Sequence, residues 1–150
     1  METTANRNTA TLLQLSALTQ YFFPLGNYIF PLFIWSFRKN ESAFVDYNGK
    51  QAINFQLSML LYMLVLGAVA VPLFLYSLFS TTTFSYGSGK GFITEELKAG
   101  NISGLLVIGI TATIVFIMLK IFEFCLILYA AVKNSNGQDF NFPLTISFIK

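Results

Sequence analysis

The chain has 150 residues, of which 55% are hydrophobic and 11% are charged, whereas soluble domains carry roughly 25% charged residues. Histidine is absent and cysteine occurs once, which excludes histidine-based triads, histidine metal sites and a disulfide within the chain. The net charge of +2 gives no reason to expect a nucleic-acid partner, and we expect no cofactor. This composition predicts a single membrane domain.

The N-terminal quarter contains a broken apolar segment. Residues 1–11 are polar, and we expect them to be disordered. Residues 12–37 are broadly apolar but are interrupted by Pro24, Gly26 and Asn27, residue types that stop helices or accept a left-handed backbone. Two interpretations are open: one kinked span, or a re-entrant hairpin of two half-helices. The turn residues at the midpoint favour the hairpin.

Two later segments are long enough to cross a bilayer, which takes roughly 20 apolar residues. The predicted fold class is therefore an all-α integral membrane protein, with two long transmembrane helices after the broken segment. The predicted boundaries are a loop at 38–50, a transmembrane helix at 51–79, a loop at 80–103, a transmembrane helix at 104–132 and a tail at 133–150.

The basic residues predict the orientation of these segments. Most Lys and Arg side chains fall on the side of the 38–50 loop and the C-terminus, and positive charge marks the cytoplasmic face. We expect a multi-pass protein of the inner, cytoplasmic membrane, with the 80–103 loop on the opposite side. In the cytoplasmic loop, Asp46 is expected to cap the following helix, and Asn48-Gly49 to form a turn.

Polar side chains recur every four residues at the start of the first transmembrane helix, so they lie on one face. This polar stripe consists of Asp46, Lys50, Asn54, Ser58 and Tyr62, with Gln51 beside it. On the second transmembrane helix, Lys120 and Glu123 are three residues apart and can pair. Lys120 lies 13 residues before Lys133, or about 20 Å at 1.5 Å per residue, which matches the depth of Tyr62.

The spacing therefore predicts one buried polar cluster. Lys50 and Asn54, near the start of the stripe, would lead from the cytoplasm into it. Its members are Ser58, Tyr62, Lys120 and Glu123. A charge at mid-bilayer costs about 2.5–3.5 kcal/mol even on insertion scales, so the pair requires compensation. Two interpretations are open. In the structural one, the pair neutralises itself and pins the helices together, or the long Lys120 side chain snorkels to water. In the functional one, the charges line a pathway for a solute or ion. The pin is the simpler of the two.

Several blocks of sequence resemble a family of small bacterial membrane proteins described as Tic-twenty-like, after a chloroplast import component. They are Leu15-Ser16-Ala17-Leu18, Pro24-Leu25-Gly26-Asn27, Pro31-Leu32-Phe33-Ile34-Trp35, Phe44-Val45-Asp46, Gly49 to Gln56, Ala130 to Asn134, Gly137 and Phe142 to Ile146. The chain departs from that pattern at Gln14, where a histidine is usual, and at Ser135, where alanine is usual. The resemblance implies a helical membrane fold of unknown function and no catalytic residues.

These observations predict a non-enzymatic integral membrane subunit that acts through helix–helix contacts. It would be accessory to a larger membrane complex or would form a homo-oligomer, with the lipid bilayer and a membrane protein as its partners. The alternative is a small transporter or channel component that uses the buried Lys/Glu cluster.

Overall fold

The structure is a computed structural model that describes residues 2–81 and 99–150. Its regular elements are all helical: α1 (Thr4–Ser16), a 3₁₀ turn (Ala17–Tyr21), α2 (Gly26–Arg38), α3 (Ala43–Thr81) and α4 (Ala99–Ser135). Most of the predicted 80–103 loop lies outside the described residues.

Two of these helices are long and apolar enough to cross a membrane, over Ala43–Tyr76 and Leu106–Ser135. This confirms the predicted fold class. The chain divides into two compact units. The hairpin unit comprises Met1–Leu61 and Leu119–Lys150, and the span unit comprises Tyr62–Met118.

Helix α1 begins much earlier than expected. Residues 1–11 were predicted to be disordered, but the helix starts at Thr4 because the Thr3 hydroxyl accepts a hydrogen bond from the Asn6 amide (3.2 Å). The buried face of α1 carries Ala10, Leu13 and Gln14. A polar sequence is thus helical here because one side of it packs against the unit.

Residues 12–37 fold as a helical hairpin, in which α2 packs back against α1 and the 3₁₀ turn. The left-handed residue at the bend is Leu25 (φ 64°), not Gly26 or Asn27 as the turn chemistry suggested. Gly26 instead provides space: a Cβ there would lie 2.9 Å from the backbone carbonyl carbon of Thr19. The hairpin therefore closes only where a residue without a side chain faces the 3₁₀ turn.

Helix α3 also begins earlier than predicted, at Ala43 rather than residue 51. The Ser42 hydroxyl accepts from the Phe44 amide (3.1 Å), so Ser42 does the capping, and Asp46 lies in the first helical turn. The predicted turn at Asn48-Gly49 is wrong as well, because both residues are helical. Turn-forming residue types are used here inside a helix for close packing and hydrogen bonding.

The C-terminal segment is not a free tail. Helix α4 continues to Ser135, and Gly137 (φ 73°) lets the Gln138 amide donate to the Lys133 carbonyl (3.0 Å). The following residues 138–150, which we call the C-terminal strap, have no regular helix. Phe142 in the strap is buried and stacks on Phe55 of α3, with ring centroids 4.3 Å apart.

Replacing Gly26 with alanine should destabilise the protein by about 1–3 kcal/mol, because overpacking forces the backbone to shift. The matched control is Gly67→Ala: nothing lies within 4 Å of a Cβ at Gly67, so alanine should be neutral or stabilise the helix by up to about 1 kcal/mol. Thermal unfolding in detergent measures both. Equal effects of the two substitutions would contradict the close approach at the bend.

Candidate functional site

The intramembrane charges predicted from the sequence form a closed group with a side chain from the hairpin. Lys120 Nζ lies 2.8 Å from Glu123 Oε2 and donates to Gln20 Oε1 (3.0 Å). Gln20 Nε2 in turn donates to Glu123 Oε1 (3.0 Å). Glu123 is fully buried, and the Lys120 side chain is 31% exposed. Both carboxylate oxygens are therefore occupied by donors from the same unit.

Gln20 was not identified from the sequence. It lies in the 3₁₀ turn near the tip of the hairpin, and the group that it closes links this tip to α4. The available signal was a polar residue in an apolar segment, next to an aromatic run. A glutamine side chain both donates and accepts hydrogen bonds and so needs partners when it is placed there.

Ser58 and Asn54 bind the C-terminal strap. Ser58 Oγ donates to the Asn54 carbonyl (2.7 Å) and accepts from the Ile146 amide (2.8 Å). Asn54 Oδ1 accepts from the amides of Phe148 (3.1 Å) and Ile149 (2.8 Å), while its Nδ2 donates to the Ile149 carbonyl (2.9 Å). The strap has no regular secondary structure, so these two side chains provide hydrogen-bond partners for its backbone amides and carbonyl.

Of the four predicted cluster residues, Lys120 and Glu123 pair with each other, and Ser58 binds the strap. Tyr62 is half-buried in the span unit. Helix spacing alone does not predict the contact of Ser58, because it gives no sign that the strap returns to α3. The single cluster and its functional role stay predictions.

The first part of the stripe forms a second polar group, near the end of α2. Asp46 and Lys50 make an ion pair (2.7 Å) in which both side chains are about 30% exposed. Trp35 Nε1 donates to Asp46 Oδ1 (2.9 Å). Gln51 is half-buried, and its Oε1 has no hydrogen-bond partner among the described residues.

A buried amide network, which the sequence analysis missed, joins α1, α3 and α4. Asn134 Nδ2 donates to Asn48 Oδ1 (2.7 Å), and Gln14 Nε2 donates to Asn134 Oδ1 (3.0 Å) and the Asn48 carbonyl (3.3 Å). Asn48 Oδ1 also accepts from the Phe140 amide (3.0 Å), and Asn48 Nδ2 donates to Asp139 Oδ1 (2.8 Å). All three amide side chains are at most 1% exposed. Amide residues within apolar helices were the available signal.

The residues of the predicted helix break also have defined places. Asn27 is buried and helical, and its Nδ2 donates to Gln56 Oε1 on α3 (2.8 Å). Pro24 is exposed at the bend. In residues 2–81 and 99–150, no three His, Cys, Asp or Glu side chains come together as metal ligands would.

The span unit presents two shallow apolar grooves. One has a volume of about 290 Å³ and the other about 300 Å³. They are lined by Phe74, Leu106, Gly109, Ile110, Thr113 and Ile114, and by Met63, Leu66, Gly67, Ala112, Thr113 and Phe116, respectively. A Cβ at Gly67 or Gly109 would meet nothing within 4 Å, so each glycine leaves open space on the helix surface.

The comparison with protein-family models finds one description for nearly the whole chain. Residues 5–149 match the model MamF_MmsF, described as the magnetosome magnetite crystal formation protein family. Neither the comparison with curated proteins nor that with solved structures found a match.

This match overturns the resemblance to the Tic-twenty-like family, which was wrong. The blocks that suggested it contain Gly26, Asn54 and Phe142, residues that close the hairpin and hold the strap. These are roles in packing and hydrogen bonding within the fold, and a shared fold does not establish a shared function. Because the match covers residues 5–149 of 150, the chain belongs to the magnetosome magnetite crystal formation protein family, MamF/MmsF.

Proposed function

We propose that this chain is a non-enzymatic subunit of the magnetosome membrane that supports magnetite crystal formation through helix contacts with other membrane proteins or with further copies of itself. The observation that carries the proposal is the family match over residues 5–149. The two long apolar helices are consistent with a membrane location. The cytoplasmic-side placement of the 38–50 loop and the C-terminus, inferred from the basic residues, belongs to the same proposal.

The grooves of the span unit support contact with another helix. Helices in a bilayer associate where small residues let their backbones approach closely, and Gly67 and Gly109 each leave such a space. The groove linings carry no charged side chain, as an intramembrane contact requires. An apolar helix of a partner fits this surface.

The buried charges support a structural role better than a transport role. A solute pathway needs polar groups that a passing ion or water molecule can reach. Glu123 is fully buried, and its two oxygens are occupied by Lys120 and Gln20. The geometry therefore favours a pin between the hairpin and α4 over a transporter or channel component.

Removal of only the cation should destabilise the protein strongly. Lys120→Met leaves the Glu123 carboxylate buried without its ion-pair partner, which costs about 3–5 kcal/mol, whereas Lys120→Met with Glu123→Leu should recover most of that loss. Equilibrium unfolding in detergent measures the free energy of unfolding of each variant.

The Asp46–Lys50 pair provides the matched control, because it is also intrahelical but partly exposed. Lys50→Met should cost no more than about 1 kcal/mol. If Lys120→Met costs no more than Lys50→Met, the pin is refuted. If Lys120→Met is stable but abolishes solute uptake by reconstituted vesicles, the transport alternative replaces it.

The helix-contact proposal is tested by filling the grooves. Gly67→Leu and Gly109→Leu should leave the isolated chain folded, since nothing lies within 4 Å of a Cβ at either position. In a magnetite-forming cell that lacks the native chain, these variants should lose proteins that co-purify with the wild type in mild detergent, and should form crystals of altered size.

The control is Val107→Leu, which changes an exposed apolar side chain on α4 that lines neither groove. It should retain both the co-purifying proteins and the crystal size. Wild-type behaviour of both glycine variants would count against helix contacts at the grooves as the basis of the function.

A further inference from the structure

The hairpin formed by α1, the 3₁₀ turn and α2 has an apolar outer surface that no other part of the hairpin unit covers. At its tip Phe22 is 82% exposed, and its neighbours Tyr21, Phe23 and Leu25 are each more than half exposed. The outer face of α2 adds a stripe of large apolar residues at a spacing of four: Ile29, Phe33 and Phe37, each more than half exposed. The parts of α3 and α4 in the same unit also expose large apolar side chains, among them Leu61 and Ile121, which points to acyl chains as the occupant.

The length of the hairpin limits how deep it reaches. Helix α2 has 13 residues and is therefore about 20 Å long, whereas the hydrocarbon core is about 30 Å thick. Gln20 near the tip bonds to Lys120, which is 13 residues, or about 20 Å along the helix, from Lys133. With Lys133 at headgroup level, the tip thus lies near the midplane of the bilayer, which is about 40–45 Å thick with its headgroups.

The open end of the hairpin has the chemistry of a membrane interface. Helix α2 ends with Arg38 and Lys39, and five of the six residues 4–9 at the start of α1 are polar. Lys39 Nζ lies 4.8 Å from the centre of the Trp35 ring, and Trp and Lys side chains are typical anchors at headgroup level. The two helices of the hairpin therefore enter and leave the membrane through the same face.

From this geometry we infer that the hairpin inserts into one leaflet only, so that the chain prefers membranes whose leaflet on the hairpin side is convex. The inference rests on the proposed membrane location. Two helices, each about 10 Å across, add cross-section to one leaflet and none to the opposite one. A convex leaflet has more area per lipid near its headgroups, so insertion there costs less; the binding of apolar helices to one leaflet is known to depend on curvature. The basic open end suits anionic headgroups.

The experiment uses the full chain, with Cys125→Ser and a fluorophore at Thr4→Cys, in giant vesicles containing anionic lipid. A narrow tube is pulled outward, and the protein density on the tube is compared with that on the flat membrane. A membrane-impermeant quencher reports which side Thr4 occupies. Protein with the hairpin in the outer leaflet should be enriched on the tube, and oppositely oriented protein should be depleted.

Two comparisons make the outcome decisive. The variant Phe22→Ala/Phe33→Ala/Phe37→Ala should lose the enrichment, whereas the control Leu64→Ala/Val69→Ala/Met118→Ala, which alters similarly exposed positions of the span unit, should keep it. Equal density on tube and flat membrane, or enrichment in both orientations, would overturn the curvature preference.

Labelling also tests the single-leaflet placement. Cysteines at Thr4 and Lys150 should react with an impermeant reagent from the same side of the membrane. Reaction from opposite sides would mean that the first segment crosses, and the inference would fail. The helix-contact function would be untouched by that result, because it is tested by co-purification and crystal size.

Discussion

Asn48 is the residue on which the arrangement of the hairpin unit depends. It is fully buried and bonds through its side chain and carbonyl to Gln14 of α1, Asn134 of α4 and the strap. A buried amide that loses its partners costs about 1–3 kcal/mol for each group left unpaired. Any shift of one segment would therefore break several of these bonds together, so a single amide fixes the position of three helices.

This use of amides follows from the solvent. In water, apolar side chains would drive the helices together, but lipid tails are as apolar as leucine, and burial against another helix then gains little. Hydrogen bonds and close backbone approach must position the segments instead. The pairs Asn27–Gln56 and Asn54–strap have this role at two further points of the unit, and Gly26 supplies the close approach.

The sequence predicted what depends on residues close together in the chain. The two long helices and the break near Pro24 follow from apolar length or backbone preference, and the structure has each of them. What it did not predict depends on distant partners. The path of the strap is determined by contacts with α3, and no local pattern contains it.

The ion pair shows the same limit at one site. The three-residue spacing of Lys120 and Glu123 was sufficient to expect that they could pair, but the third member, Gln20, is 100 residues away from Lys120 in sequence. The spacing also gave no sign that the strap binds Ser58, because depth along two helices says nothing about a segment that follows them.

The hairpin and the charges also explain each other. Lys120 and Glu123 are tolerable in an apolar helix because Gln20 completes their hydrogen bonds, and Gln20 is tolerable near an apolar tip because the pair satisfies its amide. Each feature supplies hydrogen-bond partners to the other, so the pair ties the hairpin tip to α4. These polar groups are bound to one another, and the surfaces for which we propose contacts with lipid and with another helix are apolar.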